Sequence, residues 1–195
     1  MRKPSARPTG PASAGPAAPG PDLHAQTFGT PQTVEWITKP TTRDRTITSA
    51  IPPVFERFAT FVELDENDDL LLVEQERSVA RHLVDFGPHE WWLGYLDTGA
   101  HDVVFPAAKK VKMYAGWPYV IVKAGPDEAL TWRDSLPDLI FPADHSWLVS
   151  MLWDDGWTCV GGPAGLIEAL VTDPLVQGRP VNLGVDATPP GQMSY

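Results

Sequence analysis

Residues 146–172 read SWLVSMLWDDGWTCVGGPAGLIEALVT, two apolar runs on either side of Asp154-Asp155-Gly156, and few folds accommodate such a stretch. Asp-Gly suits a type I′ turn, in which both central residues take positive φ, so residues 147–153 and 157–160 are expected to form a β-hairpin. With Asp155 and Gly156 as the loop residues, strand alternation places Leu148, Leu152, Trp157 and Cys159 on one face. Trp147, Val149, Met151, Trp153 and Val160 then share the other. Both faces are apolar, so both require cover. After Gly161-Gly162, Pro163 suits the first position of a helix whose stripe of Leu166, Ile167, Leu170 and Val171 packs back on the sheet, and Asp173-Pro174 ends it.

The rest of the chain reads as short elements of both kinds. Residues 33–37 (TVEWI) look like a strand, 39–49 like a polar loop, Ile51-Pro52-Pro53 like a turn, and 60–64 like a second strand. Leu72, Val79, Leu83 and Phe86 recur at helical spacing, with Asp68 as the expected N-cap and Gly87-Pro88 as the stop. Strands are expected over 91–96, 101–105, 111–114, 119–122 and 139–141, and a helix over 126–133. Periodicity ends after Pro174. The fold class is therefore α+β, a mainly antiparallel sheet of five to seven short strands with about three helices. It is expected as a single domain over 32–185, between a disordered Pro/Ala/Gly-rich tail at 1–31 and a flexible tail at 186–195.

Charge narrows the function classes. The chain carries 15 Lys and Arg against 25 Asp and Glu, a formal net charge of −10. Residues 1–31 hold Arg2, Lys3 and Arg7 against Asp22 alone, so the remainder stands at −12. Such a domain repels phosphate backbones, and no nucleic-acid partner is expected. No apolar segment of transmembrane or signal-peptide kind follows the basic start, and the single Cys159 leaves no internal disulfide, so a cytoplasmic protein is expected. Cys159 faces inward in the hairpin and reads as an inert core thiol.

Two stretches resemble known sites. Asp97-Thr98-Gly99 follows a strand and resembles the active-site loop of retroviral-type aspartic proteases. That resemblance implies a homodimer in which Asp97 supplies one catalytic carboxylate of a pair, Thr98 braces it and Gly99 allows close approach. The expected glycine-rich flap is missing from residues 114–119. Asp65, Asn67, Asp69 and Glu76 fall at positions 1, 3, 5 and 12 of a calcium loop, but Leu70 stands where the loop needs Gly, and the following residues read as helix. His82, His89, His101 and His145 show no ligand spacing, so neither a metal nor a cofactor is expected.

The eight tryptophans are the remaining signal. Trp91-Trp92 and Trp147, Trp153 and Trp157 are adjacent or alternate, so some are expected to leave the core. A binding face of Trp91, Trp92, Trp117, Trp153, Asp154, Asp155 and Trp157 follows from that pattern. From Pro52-Pro53-Val54-Phe55 through Trp91-Trp92 to the Trp-Asp-Asp-Gly-Trp hairpin, the chain is similar to single-domain bacterial proteins. In size, acidity and scattered Trp and Pro positions it is also similar to SUKH immunity domains. That resemblance implies toxin neutralisation, an acidic face occupying a protein partner's basic surface. The expectation is thus a non-enzymatic protein-interaction domain, with a homodimeric aspartic hydrolase using Asp97 as the alternative.

Overall fold

A hairpin that is apolar on both sides demands a sheet between two covering layers. The computed structural model, which describes residues 25–64, 69–99, 104–133, 135–152 and 156–192, has that arrangement. Nine strands occur among the described residues: β1 (Thr27–Phe28), β2 (Arg57–Val62), β3 (Trp91–Leu96), β4 (Val111–Met113), β5 (Trp117–Ala124), β6 (Leu139–Pro142), β7 (Leu148–Met151), β8 (Trp157–Gly162) and β9 (Arg179–Val181). They form one antiparallel sheet in the order β1-β5-β3-β6-β7-β8-β2-β9, with β4 beside β5. The helices are α1 (Pro31–Thr38), α2 (Asp69–Asp85), α3 (Pro126–Thr131) and α4 (Ala164–Thr172). The α+β reading holds, but the sheet is larger than expected, because β1 and β9 are too short to show alternation.

On one face, Trp91, Leu93, Val122, Ile140, Trp147 and Val160 pack under Val79 and Leu83 of α2, Ala129 of α3 and Leu166, Ile167 and Leu170 of α4. Burying each of the α4 leucines contributes about 1.5–3 kcal/mol before chain entropy is counted. Glu56 supplies the polar end of that helix, its carboxylate accepting the Ala164 N–H at 3.0 Å. On the other face, Tyr119, Ile121, Leu139, Phe141, Trp157 and Cys159 pack under Val34 and Ile37 of α1 and under Ile47, Ala50 and Ile51. This second cover is thinner, one short helix and a looped segment.

The hairpin keeps its expected faces in a different register. Val149 pairs with Val160 and Ser150 with Cys159, so the strands are linked by residues 152–156 rather than by a two-residue turn. The slip is two residues, and an even slip leaves every side chain on its face. Trp153, Asp154 and Asp155 lie outside the described residues.

Several expected elements are corrected. Residues 33–37 are not a strand but the body of α1. Pro31 occupies its first turn, the Thr30 N–H donates to Thr33 Oγ1 at 3.0 Å, and Val34 and Ile37, three apart, bury one stripe. Ordered structure begins inside the expected tail, since β1 pairs with β5. It also continues into the expected C-terminal tail, where the Ala187 N–H donates to the Arg45 carbonyl at 2.8 Å and Ala187 is fully buried. The strand expected over 101–105 falls partly outside the described residues, and Val104 and Phe105 form a bend, with Phe105 at φ 57°. Residues 69–85 are continuous helix, so the calcium-loop spacing is not realised beyond its fifth position.

Candidate interaction surface

Of the tryptophans expected on a binding face, two are core. Trp91 is fully buried, donates its indole N–H to the Pro88 carbonyl at 2.8 Å and meets Trp147 edge-on at 5.3 Å, while Trp157 is sealed in the opposite layer. Two covered faces absorb what adjacency and alternation expose in a one-sided sheet. Trp92 and Trp117 are half-buried at the margin of the thinly covered face.

Around Trp92 the structure assembles aromatic residues that sequence reading did not group. Trp92 stands across the strand pair from Phe141. Phe141 is fully buried and meets the Trp36 ring edge-on at 5.5 Å. His145, exposed in the turn after β6 at φ 58°, lies flat on Trp36 with ring centroids 4.2 Å apart and planes 16° from parallel. Phe55 meets Trp36 from another side at 6.2 Å. Partial burial beside these rings holds the His145 pKa below its ordinary value. The patch is bordered by carboxylates: Glu90 on Lys123 at 2.6 Å, Glu35 on Lys39 at 2.6 Å, and exposed Asp144, which accepts the Ser146 N–H. Lys123 also sits 6.0 Å from the Trp92 ring centre. Helical geometry made the patch: Val34 and Ile37 point into the core, and Trp36, off their stripe, is left at the rim.

Groups with catalytic appearance are engaged in holding the fold. Asp97 closes an Asx turn, its Oδ1 accepting the Gly99 N–H at 3.0 Å, while its Oδ2 pairs with Lys110 at 3.1 Å. The Gly99 N–H and then Lys110 hold the Asp97 carboxyl below its usual range. That favours a permanent anion, the opposite of the shared proton an aspartic dyad requires. Thr98 and Gly99 are exposed in the same turn.

Ser78, His82 and Asp173 also meet, but in the wrong order for a nucleophile. Asp173 Oδ2 accepts from Ser78 Oγ at 2.5 Å and lies 2.8 Å from His82 Nε2, so the serine proton points to the acid and not to the imidazole. Burial raises the Asp173 pKa, yet the bonds from Ser78, His82 and the Leu175 N–H outweigh it and bring the value to about 2. Cys159 is 1% exposed in the core. Among the described residues no three His, Cys, Asp or Glu side chains gather at metal-binding distance.

Two concavities flank α2. A cavity of about 30 Å³ under Leu72, Gln75 and Glu76 has room for roughly one water. A groove of about 440 Å³ runs between α2 and α3, lined by Val73, Glu76, Arg77, Asp127, Leu130 and Arg133. Its inner charges are committed: Arg133 pairs with Asp138 at 3.0 Å and lies over Tyr95, and Glu76 accepts the Leu136 N–H at 2.6 Å. Burial raises the Glu76 pKa, and that bond offsets part of the rise.

No family model, curated protein or solved structure matches this chain. Among the described residues no helix is long and apolar enough to cross a membrane.

Proposed function

We propose that the chain is a non-enzymatic protein-interaction domain whose contact surface is the aromatic patch of Trp92, Trp36 and His145. The observation that carries this reading is the Trp36–His145 stack standing beside half-buried Trp92 on the thinly covered sheet face. Tryptophan contributes large contact area with few rotors to freeze, and rings already held by Phe141 and Phe55 lose little freedom on binding. Exposed Asp144 beside His145, within a chain of net charge −10, favours a partner with a basic surface, Glu90 and Glu35 being already paired with Lys123 and Lys39. Toxin neutralisation is the most concrete form of this role, the acidic domain covering the basic substrate-binding face of a toxin. Asp97, Ser78, His82 and Asp173 are spent on turns and helix contacts, and that favours the reading over a hydrolase.

The test is quantitative. A basic protein recovered by cross-linking to the intact chain would be titrated against wild type and Trp92→Ala. A contact residue of this kind costs 2 kcal/mol or more, about 30-fold in Kd. Undiminished affinity in the variant would remove the patch from the interface.

A further inference from the structure

Of the three carboxylates bordering the patch, two are already matched. Glu90 holds Lys123 and Glu35 holds Lys39, so each of those pairs sums to zero charge. Asp144 is exposed, its Oδ1 accepts the Ser146 N–H at 3.0 Å, and among the described residues no cation pairs with it. The uncompensated charge at this border is therefore carried by Asp144. The next residue in the chain is the patch's titratable ring.

His145 is fixed where its own charge would count. Its N–H donates to the Pro142 carbonyl at 3.0 Å, the Ala143 N–H donates to the Glu90 carbonyl at 3.4 Å, and the ring lies flat on Trp36 at 4.2 Å and tilted to Phe141 at 6.0 Å. The elements packed on it bring no further unmatched charge. Glu35 and Lys39, at the end of α1, hold each other, and β6 reads Leu-Ile-Phe-Pro. Glu56, beyond Phe55, is turned to the Ala164 N–H. What acts on the imidazole is desolvation against the rings, which disfavours its charged form, and then Asp144, which favours it. Desolvation prevails, so the ring is neutral at pH 7 and gains its proton in mildly acidic solution, below the ordinary histidine value.

We infer that His145 makes the patch a pH-gated surface, which binds a basic partner at neutral pH and releases it on mild acidification. Protonation takes adjacent Asp144 and His145 from −1, the carboxylate alone, to zero, the carboxylate with an imidazolium. It also sets a cation on the Trp36 ring, where a partner's Lys or Arg side chain would settle. Attraction for a basic surface is thereby cancelled at the point of contact. This rests on the patch being the contact surface and adds the condition under which that surface lets go.

The experiment follows NMR signals of the His145 ring and of the Trp36 and Trp92 indoles in the full chain from pH 7.5 to pH 5, with and without a hexa-arginine peptide. In the free protein His145 should titrate below an ordinary histidine, and Trp36 should move with the same midpoint. A midpoint at or above the ordinary value, or a Trp36 signal that ignores it, overturns the gate. The peptide should shift Trp92 at pH 7.5 and bind about five-fold more weakly at pH 5, the scale of one exposed charge-charge contact. His145→Asn tolerates the φ of 58° and keeps a planar polar group without the proton, so it should lose most of that pH dependence. His145→Arg, permanently charged, should bind weakly at both values. The other histidines are present in all three chains and drop out of the comparison. Equal pH dependence in wild type and His145→Asn would overturn the gate while leaving the patch standing. A peptide that moves no patch signal at pH 7.5 would remove the contact surface itself, and the gate with it.

Discussion

His82 Nε2 lies 2.8 Å from Asp173 Oδ2, a contact that ties the last turns of α2 to the residue ending α4 across 91 positions of sequence. The same oxygen accepts Ser78 Oγ, and Asp173 Oδ1 accepts the Leu175 N–H, so one carboxylate fixes two helices and the turn that follows. Its pKa falls from 3.8 to about 2 on folding. A depressed folded-state value stabilises the protein above the unfolded pKa, and that stabilisation disappears as pH falls through the folded one.

Asp173→Asn should therefore cost about 2 kcal/mol at pH 7, from a shift of nearly two units. The gap from wild type should persist down to about pH 4 and close as pH approaches 2. Urea unfolding at pH 7 and pH 2.5 measures it. An equal gap at both values would mean that the carboxylate's charge is not what matters.

Tryptophans that are identical in composition should separate into two classes on substitution. Trp147→Ala removes a fully buried ring that packs against Trp91 and lies beside Gly87, and should cost about 3–5 kcal/mol. Trp92→Ala, at the margin, should cost less than half of that while carrying the binding defect. Paired denaturation curves decide this, and comparable losses would place Trp92 in the core.

How much of this was legible in the sequence follows from the physics of each element. The hairpin's faces were legible because strand periodicity is two, and even a wrong register left Leu148, Trp157 and Cys159 together. Residues 33–37 were misread because Val34 and Ile37 suit either period in so short a window; Pro31 and Thr30 were the available signals for a helix. The β9 segment, Arg-Pro-Val, shows no alternation at all, and its pairing with β2 decides its conformation. The Trp36–His145 stack joins residues 109 positions apart, and only the tertiary fold brings them together.

Gly161 on β8 tests the thinner cover directly. A Cβ there would come within 2.4 Å of Phe55 and 2.5 Å of Ile51, the residues that lid this part of the sheet. Gly161→Ala should cost about 1–3 kcal/mol through overpacking and should loosen Phe55 from Trp36. Thermal melting together with hydrogen exchange of the Ile51 amide reads both effects. Unchanged stability would show that the 51–55 segment shifts freely over the sheet.

Asp97→Asn is the last discriminating change, because it keeps the turn's shape while removing the charge that Lys110 and the Gly99 N–H stabilise. The pair is about a quarter exposed on both sides, so solvent screening limits its worth to at most about 1 kcal/mol. For a chain of this length that corresponds to a fall in Tm of roughly 2–4 °C. The amide can still accept from the Gly99 N–H, so the turn should survive and partner binding at the aromatic patch should be unaffected. A catalytic dyad predicts a different pattern, with cleavage of a peptide library at acidic pH by wild type, none by the variant, and a homodimer that places two Asp97 carboxylates together. The expected result is a small loss of stability with no change in binding; acid-dependent cleavage abolished by Asp97→Asn would reverse the functional reading in favour of the hydrolase.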